Sequence, residues 1–317
     1  MFARRLICLW IGAFGLAAGA FCQTYVGINL GGSTFPISIN GAGVIAGYYL
    51  RIGVPQAFVR DTAGTITEFS VPGSTGFTEP SSINAAGAIT GDSSFGGSGG
   101  FVRDPAGHFI SFVADKGLTY PQSINAGGAV TGYYAARPSG LINHGFLRAD
   151  NGAITSFDPP GSTSTTALSI NDVGAITGHY QSADGSVHGF VRYPTGHITS
   201  FDPPGSTGTY PAGINYSGAI TGYYTRADGR QHGFVRDAAG EITLFDGVPT
   251  SINNLGAIVG AGFLRSPDGT ITSLMAPACG PPTLNIPSVA TSINDAGVIA
   301  GYCGGRPLIV NGWVRYP

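Results

Sequence analysis

The pattern that decides the fold reads Ser169-Ile170-Asn171-Asp172-Val173-Gly174-Ala175-Ile176-Thr177-Gly178. An asparagine side chain can bond the backbone that follows it, and a glycine supplies the positive φ that a tight turn needs. The short apolar segments on either side therefore predict two antiparallel strands joined by a turn.

The same Asn-x-x-Gly pattern, followed four residues later by a second glycine, occurs seven times along the chain. Its asparagines are Asn40, Asn84, Asn125, Asn171, Asn215, Asn253 and Asn294. The mean spacing of about 42 residues is the period of four-stranded propeller blades.

Each repeat predicts four short strands. The first is the Ser-Ile-Asn segment and the second follows the turn glycine. The third carries an aromatic residue, then Val or Leu, then Arg. The fourth is Gly-x-Ile-Thr-x-Phe, as in residues 196–201. Phe190 and Val191 of a third strand point to opposite faces, so both faces of the sheet need cover. Neighbouring blades would provide it, whereas a transmembrane barrel needs longer strands of about 9–11 residues.

The chain ends complete this prediction. The last repeat stops at Pro317, directly after its third strand, and so lacks a fourth. Residues 25–34 align without a gap on residues 154–163, which hold a fourth strand. The fold predicted is all-β: a seven-bladed β-propeller of four-stranded antiparallel blades, closed by the N-terminal strand joining the C-terminal blade. Residues 21–317 form one domain, with repeats starting near residues 38, 82, 123, 169, 213, 251 and 292.

The first twenty residues are typical of a secretory signal peptide. Arg4 and Arg5 precede an apolar run over residues 6–19, and small residues stand at Ala18 and Ala20. The alternative, a membrane anchor, needs about 20 apolar residues. We expect cleavage after residue 20 and a secreted, extracellular or periplasmic protein with no membrane-spanning segment after cleavage.

Three cysteines stay in the secreted chain, where disulfides persist. Cys303 ends the second strand of the last repeat, and Cys279 lies in the connection that enters that repeat. These two positions share one face of the propeller, which predicts a Cys279–Cys303 disulfide. Cys22 is expected on the opposite face, unpaired and without an assigned role.

Charge excludes one class of partner. Charged residues make up 10% of the chain and the net charge is −2. Such a chain has no basic field, so nucleic acid is not expected as a partner. Seven arginines stand at the same place of the third strand, and a ring of identical donors indicates a structural role between blades. They are Arg60, Arg103, Arg148, Arg192, Arg236, Arg265 and Arg315.

Sequence motifs of catalysis are absent. The chain has no nucleophile motif, phosphate loop or zinc spacing, and its six histidines form no metal-binding pair. We therefore expect no catalytic residue, metal or cofactor, and the sequence does not favour an enzyme. Asp158 and Asp202 precede proline turns and are interpreted as turn formers that bond the local backbone.

Polar aromatic sets distinguish the third, fourth and fifth repeats. A pair of residues ends the second strand and a histidine begins the third, beside a longer connection where binding residues often lie. These sets are the candidate ligand-binding residues: Tyr133, Tyr134 and His144; His179, Tyr180 and His188; Tyr223, Tyr224 and His232. The alternative is that they are only the best-preserved copies of the repeat.

The His-Gly-Phe of the third strand, with its variant Gln56-Ala57-Phe58, resembles the bacterial extracellular repeat family called HAF. The resemblance covers nearly the whole secreted chain. It departs from the His-Ala-Phe pattern at Gly145, Gly189 and Gly233, and repeats one, two, six and seven lack the histidine. The resemblance implies a secreted repeat protein and carries no catalytic residues.

These observations favour a secreted, monomeric, non-enzymatic module that binds a glycan, peptide or cell-surface partner through loops on one propeller face. One alternative is a secreted propeller enzyme, a lyase or hydrolase with a site in the central channel. It requires a few titratable residues that differ between blades and converge on that channel. The first strands, which line the channel, are nearly uniform Ser-Ile-Asn segments. A purely structural envelope protein is the third hypothesis.

Overall fold

The computed structural model describes residues 4–8, 22–94, 98–115, 117–136, 142–279, 286–304 and 310–317. These residues form β-strands and one 3-10 helix, η1 (Pro277–Cys279). None of them belongs to a helix that is long and apolar enough to span a bilayer. The chain is therefore all-β over its described part.

The strands follow one another in chain order. They are β1 (Arg4–Cys8), β2 (Cys22–Ile28), β3 (Thr34–Ile39), β4 (Ile45–Arg51), β5 (Val54–Arg60), β6 (Ile66–Phe69), β7 (Thr78–Ile83), β8 (Ile89–Ser93), β9 (Gly99–Arg103), β10 (Phe109–Phe112), β11 (Leu118–Ile124), β12 (Val130–Ala135), β13 (Asn143–Arg148), β14 (Ile154–Phe157), β15 (Ser162–Ile170), β16 (Ile176–Ser182), β17 (Val187–Arg192), β18 (Ile198–Phe201), β19 (Gly208–Ile214), β20 (Ile220–Thr225), β21 (Gln231–Arg236), β22 (Ile242–Phe245), β23 (Pro249–Ile252), β24 (Ile258–Gly260), β25 (Phe263–Arg265), β26 (Ile271–Ser273), β27 (Ser288–Ile293), β28 (Ile299–Cys303) and β29 (Gly312–Tyr316).

Most strands form four-stranded antiparallel sheets of consecutive strands, as the repeat predicts. Strands β3–β6, β7–β10, β11–β14 and β23–β26 each form one such sheet. Strands β15–β18 and β19–β22 do the same, and a single parallel bridge between Val187 and Gly208 joins them. The last sheet has the order β27-β28-β29-β2-β1.

The Asn-x-x-Gly turn folds as its residue types require. In the repeat at Asn171, the side-chain oxygen accepts a hydrogen bond from the Ala175 backbone at 2.8 Å. The Gly174 backbone N–H donates to the Asn171 backbone oxygen at 3.0 Å, and Gly174 has a φ of +85°. An asparagine that caps its own turn in this way holds the first two strands of the sheet together.

The same asparagines link successive sheets. The buried side-chain amide of each one donates to the backbone oxygen of the next asparagine, at 2.9–3.2 Å. The chain of bonds runs Asn40, Asn84, Asn125, Asn171, Asn215, Asn253, Asn294 and back to Asn40. Each side chain is thereby satisfied although it is buried, as buried polar groups must be.

The core lies between the sheets. The aromatic residue of each third strand is buried, and in five sheets it packs edge-on against the last phenylalanine of the preceding sheet, as Phe190 does against Phe157. The repeated arginine covers the same ring: the Arg192 guanidinium carbon lies 5.0 Å from the centre of Phe157. Four other arginines repeat this contact at 4.9–5.2 Å. These arginines therefore stabilise the packing between sheets.

The N-terminal strand β2 pairs with β29. Tyr25 lies opposite Arg315 and Ile28 opposite Gly312, the register in which Ile154 and Phe157 of β14 meet β13. Strand β1, within the predicted signal segment, pairs with the outer edge of β2. Residues 9–21, which contain the predicted cleavage position, lie outside the described residues. Cys279 and Cys303, the pair predicted from the topology, form a disulfide with a Cα–Cα distance of 5.1 Å.

Candidate functional site

A belt of side chains runs across the sheets at the end where each first strand begins and each second strand ends. It consists of residues that face one another in the same register on those two strands. The pairs are Phe35 and Tyr48, Glu79 and Asp92, Tyr120 and Tyr133, Thr166 and His179, Tyr210 and Tyr223, and Val289 and Tyr302. We call this set the belt.

Belt residues of neighbouring sheets contact each other. Tyr302 meets Phe35 edge-on at a centroid distance of 5.2 Å, and His179 meets Tyr210 at 5.3 Å. Ala261, which follows the second-strand glycine of β24, forms an isolated bridge with Val289. In each case a second-strand residue contacts a first-strand residue of the next sheet, so the belt continues from sheet to sheet.

Aromatic rings make up most of the belt. Tyr210 and Tyr223 stack with their centroids 4.8 Å apart, and Tyr120 and Tyr133 stack at 5.1 Å. All four rings are partly exposed. Stacked rings with hydroxyl groups offer an apolar face together with a hydrogen-bonding edge.

One pair in the belt consists of two carboxylates. Glu79 lies directly opposite Asp92 on the neighbouring strand. Burial, and after it the Glu79 carboxylate, raises the pKa of Asp92 to about 7. Burial also raises the pKa of Glu79. Two carboxylates on directly opposite residues disfavour simultaneous ionisation, so the pair can hold a proton near neutral pH.

The pKa values of the tyrosines beside this pair are raised, in part by its charges. Burial and then the charges of Glu79, Tyr302 and Asp92 raise the pKa of Tyr48 to about 12. Burial is the largest cause that raises the pKa of Tyr133, and the charges of Tyr120 and Asp92 raise it further. Both phenols are protonated at neutral pH, and each can donate a hydrogen bond.

His179 is the one imidazole of the belt in the described part of the chain. Burial lowers its pKa to about 4, so the ring is neutral at pH 7. Its Nδ1 is buried and has no hydrogen-bond partner among the described residues. A neutral imidazole can act as a hydrogen-bond donor at one nitrogen and as an acceptor at the other.

The structure divides the predicted binding residues into two groups. Tyr133, His179 and Tyr223 belong to the belt. The residues that follow them, Tyr134, Tyr180 and Tyr224, point to the opposite face of the sheet and are buried, with exposures of 4%, 8% and 0%. The predicted sets of three therefore do not form common surfaces, because adjacent residues of a strand project to opposite faces.

The buried tyrosines pack on the three predicted histidines. Tyr134 contacts His144, Tyr180 contacts His188 and Tyr224 contacts His232, with ring centroids 5.3–5.7 Å apart. Each histidine Nδ1 in turn meets an aspartate fourteen residues later, at 2.7–3.3 Å. These partners are Asp158, Asp202 and Asp246.

The interpretation of Asp158 and Asp202 as simple turn formers is therefore wrong. Their carboxylates meet His144 and His188 at 2.7 Å, because the strand register places those histidines beside the end of the fourth strand. The constant spacing of fourteen residues between His and Asp was a sequence signal for these pairs.

Sequence reasoning missed Glu79 and Asp92. The expectation that uniform Ser-Ile-Asn segments line the first strands holds only at the turn end of each strand. At the belt end the equivalent residues are Phe35, Glu79, Tyr120, Thr166, Tyr210 and Val289. Asp92 could have been found, because the residue after the second repeat glycine is aromatic or His in most repeats and a carboxylate only there. In the described residues no group of three or more metal-ligating side chains comes together.

Comparisons with known proteins show the fold. The sequence matches no family model, and it matches no curated protein. The resemblance to the HAF repeats thus stays a prediction. A virginiamycin B lyase structure from Staphylococcus aureus is 13% identical, with a TM-score of 0.64, and the match covers 93% of this chain and 99% of that chain.

Two further solved structures are similar. The β-propeller domain of the Trilobed protease from Pyrococcus furiosus is 10% identical, with a TM-score of 0.58, covering 89% of this chain and 95% of that chain. TolB from Acinetobacter baumannii is 15% identical, with a TM-score of 0.52, covering 73% of this chain and 63% of that chain. The chain therefore has a propeller-like fold.

The main functional prediction, a non-enzymatic binding module, is wrong by this comparison. A lyase and the propeller of a protease are among the structures that match nearly the whole chain. The enzyme alternative required titratable residues that differ between repeats, and Glu79, Asp92 and His179 are such residues.

Proposed function

We propose that this chain is a propeller enzyme, a lyase or hydrolase, in which the belt is the active site and the Glu79–Asp92 pair exchanges a proton with the substrate. The observation that carries the proposal is the position of this pair, directly opposed across two strands and flanked by Tyr48 and Tyr133. A general acid or base works best when its pKa is near the working pH, and Asp92 meets that condition.

The architecture that we propose for this site is a closed ring of seven blades with the belt around one mouth of its central channel. Three observations support it: the chain of asparagine bonds that returns to Asn40, the pairing of β2 with β29, and the belt contacts between sheets. In such a ring, side chains that are distant in the sequence face one substrate.

Within this site the residues have distinct tasks. Asp92 would take a proton from the substrate or return one to the leaving group, with Glu79 setting the affinity of the pair for that proton. The phenols of Tyr48 and Tyr133 would stabilise developing negative charge, as donors fixed before the reaction do. Neutral His179 would add an uncharged polar ring to the surface that faces the substrate.

We also propose that the enzyme is exported. The basic start, the apolar run and the small residues before position 21 support this, and so does the Cys279–Cys303 disulfide, which is typical of oxidising compartments.

The test uses the purified chain with virginiamycin B, quinupristin and a panel of esters and lactones, followed by mass spectrometry. A lyase gives products whose summed mass equals that of the substrate, whereas a hydrolase adds one water. We expect Asp92→Asn to lower kcat by about a hundredfold or more. The matched control is Asp150→Asn, an exposed carboxylate outside the belt, which should retain full activity. Activity that is equal in Asp92→Asn and wild type would exclude the proposed role, and no turnover across the panel would count against the enzyme.

A further inference from the structure

Of the three pairs formed by His144, His188 and His232, only that of His188 has a serine hydroxyl in contact with the histidine in the described part of the chain. The position two residues after the tyrosine that packs on each histidine differs between the three repeats. It is Ala136 in the third repeat, Ser182 in the fourth and Arg226 in the fifth. The three environments otherwise share the histidine, the aspartate and the tyrosine. At this position Ser182 therefore gives the fourth repeat a nucleophilic group, where the third and fifth repeats have Ala136 and Arg226.

Ser182, His188 and Asp202 lie in the order of a nucleophile, a base and an orienting acid. The Ser182 Oγ is 3.4 Å from Nε2 of His188, and Nδ1 of His188 is 2.7 Å from Oδ2 of Asp202. The first distance is longer than the roughly 2.6–3.2 Å of an engaged pair, which is common before a substrate is bound. Because the carboxylate faces Nδ1, it holds the proton there and leaves the lone pair of Nε2 directed to the serine.

Neighbouring residues fix this geometry. Tyr180 lies opposite His188 in the strand pair and its ring packs on the imidazole at a centroid distance of 5.3 Å. The second oxygen of Asp202 accepts a hydrogen bond from the Thr209 hydroxyl. The base and the acid are thus positioned by strands β16, β17, β18 and β19 rather than by a free loop.

His188 and Asp202 are accessible to a small molecule, and Ser182, which contacts His188, is partly exposed. The side chains of His188 and Asp202 are 29% and 37% exposed. Both line a groove of about 280 Å³ together with Ser186, Pro203, Ser206 and Thr207. A groove of this size accommodates a small acyl group rather than a polymer.

We propose that Ser182, His188 and Asp202 form a second catalytic site, which hydrolyses small esters through an acyl-serine. The Ser182 Oγ attacks the carbonyl carbon while His188 Nε2 takes the hydroxyl proton. The bond from carbon to the alcohol oxygen then breaks, and His188 gives that proton to the departing alcohol. Water attacks the acyl-serine in the second half, with one proton passing through His188 back to Ser182, so that an acid and an alcohol are released.

Asp184 competes with the base for the serine proton. The Ser182 hydroxyl also reaches the Asp184 carboxylate, and its hydrogen bond, followed by that of Ser186, lowers the pKa of Asp184 to about 2. The reactive population is the one in which the hydroxyl donates to His188. This makes the site a slow esterase that favours activated esters.

The test is labelling of the full chain with a fluorescent fluorophosphonate, which reacts only with an activated serine. We expect one label on Ser182, located by peptide mass spectrometry, and none in Ser182→Ala. His188→Gln should slow labelling by about a hundredfold or more. His144→Gln and His232→Gln are matched controls from pairs without the serine, and both should label at the wild-type rate.

Two results would overturn the proposal: no label on Ser182, or equal labelling rates in His188→Gln and wild type. Asp202→Asn is a second variant for the case that His188→Gln does not fold, because it changes the fewest atoms. It should also slow labelling at least tenfold. The proposed activity of the belt is tested separately, because Asp92→Asn should react with the fluorophosphonate at the wild-type rate. A negative result in the lyase or hydrolase assay is therefore distinguishable from a failure to label Ser182.

Discussion

The side-chain amide of Asn294 donates a hydrogen bond to the backbone oxygen of Asn40 at 3.0 Å, although 254 positions separate the two residues. The bond joins the same atoms as the 2.9 Å bond from Asn171 to Asn215, which links two sheets in the middle of the chain. The side-chain oxygens of Asn294 and Asn171 each also accept a hydrogen bond from the backbone N–H four residues later. The junction between the chain ends is thus built like an internal junction.

This equivalence predicts equal costs for removing either asparagine. Asn171→Ala leaves the Ala175 N–H without its partner and removes one of the two hydrogen bonds that the Asn215 backbone oxygen accepts. This should lower the free energy of unfolding by about 2–4 kcal/mol. Asn294→Ala should lower it by the same amount, because its bonds are the same. Chemical denaturation checks both, with the exposed Asn151→Ala as a control that changes stability by less than about 1 kcal/mol. A much smaller effect for Asn294→Ala would show that the ring is not held closed at this junction.

The contact between Arg192 and Phe157 gives a second prediction. Arg192→Ala removes a cation–π contact and the cover over a ring between two sheets, and should cost about 1–2 kcal/mol of stability. Arg192→Lys keeps the charge but loses the planar group, so we expect an intermediate loss. Thermal unfolding in parallel with Arg230→Ala tests this, because the Arg230 side chain forms an exposed ion pair at 3.8 Å with Asp228. The stability of Arg230→Ala should stay within about 0.5 kcal/mol of the wild type. An equal loss of stability in Arg192→Ala and Arg230→Ala would contradict a specific role of the contact between Arg192 and Phe157.

Gly178 gives a third prediction, through the close approach of two strands. A Cβ at Gly178 would overlap the backbone oxygen of Thr166 and crowd Ala167 on the neighbouring strand. Gly178→Ala should therefore cost more than about 3 kcal/mol or prevent folding. Gly27 of β2 is the matched control, because a Cβ there meets no atom within 4 Å. Soluble yield and melting temperature compare the two, and a Gly178→Ala protein as stable as Gly27→Ala would show that the strands can separate at no cost.

The repeat predicts those parts of the structure that depend on residues common to all its copies. The Asn171 and Gly174 turn is local, so its residue types suffice to predict it. The partner of β2 also follows from the sequence, because residues 25–28 copy the pattern of a fourth strand. Burial between sheets then accounts for the repeated phenylalanines and arginines.

The candidate site depends on positions where the copies differ, and pattern reasoning averages over them. Asp92 owes its high pKa to burial and to Glu79, which lies on another strand, so no local pattern contains the effect. The contact of His188 with Ser182 and Asp202 likewise depends on a strand register that the sequence predicts only approximately. Grouping Tyr180 with His179 failed for a simpler reason, since adjacent strand residues project to opposite faces.

The raised pKa of Asp92 gives the last prediction, on stability and pH. In the unfolded chain this carboxyl has its ordinary pKa of 3.8, whereas in the folded protein the value is about 7. Below about pH 4 both states are protonated and Asp92 does not change stability. Between pH 4 and 7 the unfolded state ionises first, so stability falls as the pH rises; above pH 7 the loss is complete. The difference between the two pKa values corresponds to at most about 4 kcal/mol.

Asp92→Asn removes this titration while keeping the shape of the side chain. Relative to wild type, the variant should therefore gain stability between pH 4 and pH 8, by up to about 4 kcal/mol. Denaturant unfolding at pH 4, 6 and 8 measures the difference, and Asp150→Asn, an exposed aspartate, should show no such trend. A difference between Asp92→Asn and wild type that is constant with pH would mean that the folded protein does not hold this proton. The Glu79–Asp92 pair would then be ionised at neutral pH and could not donate a proton to a substrate.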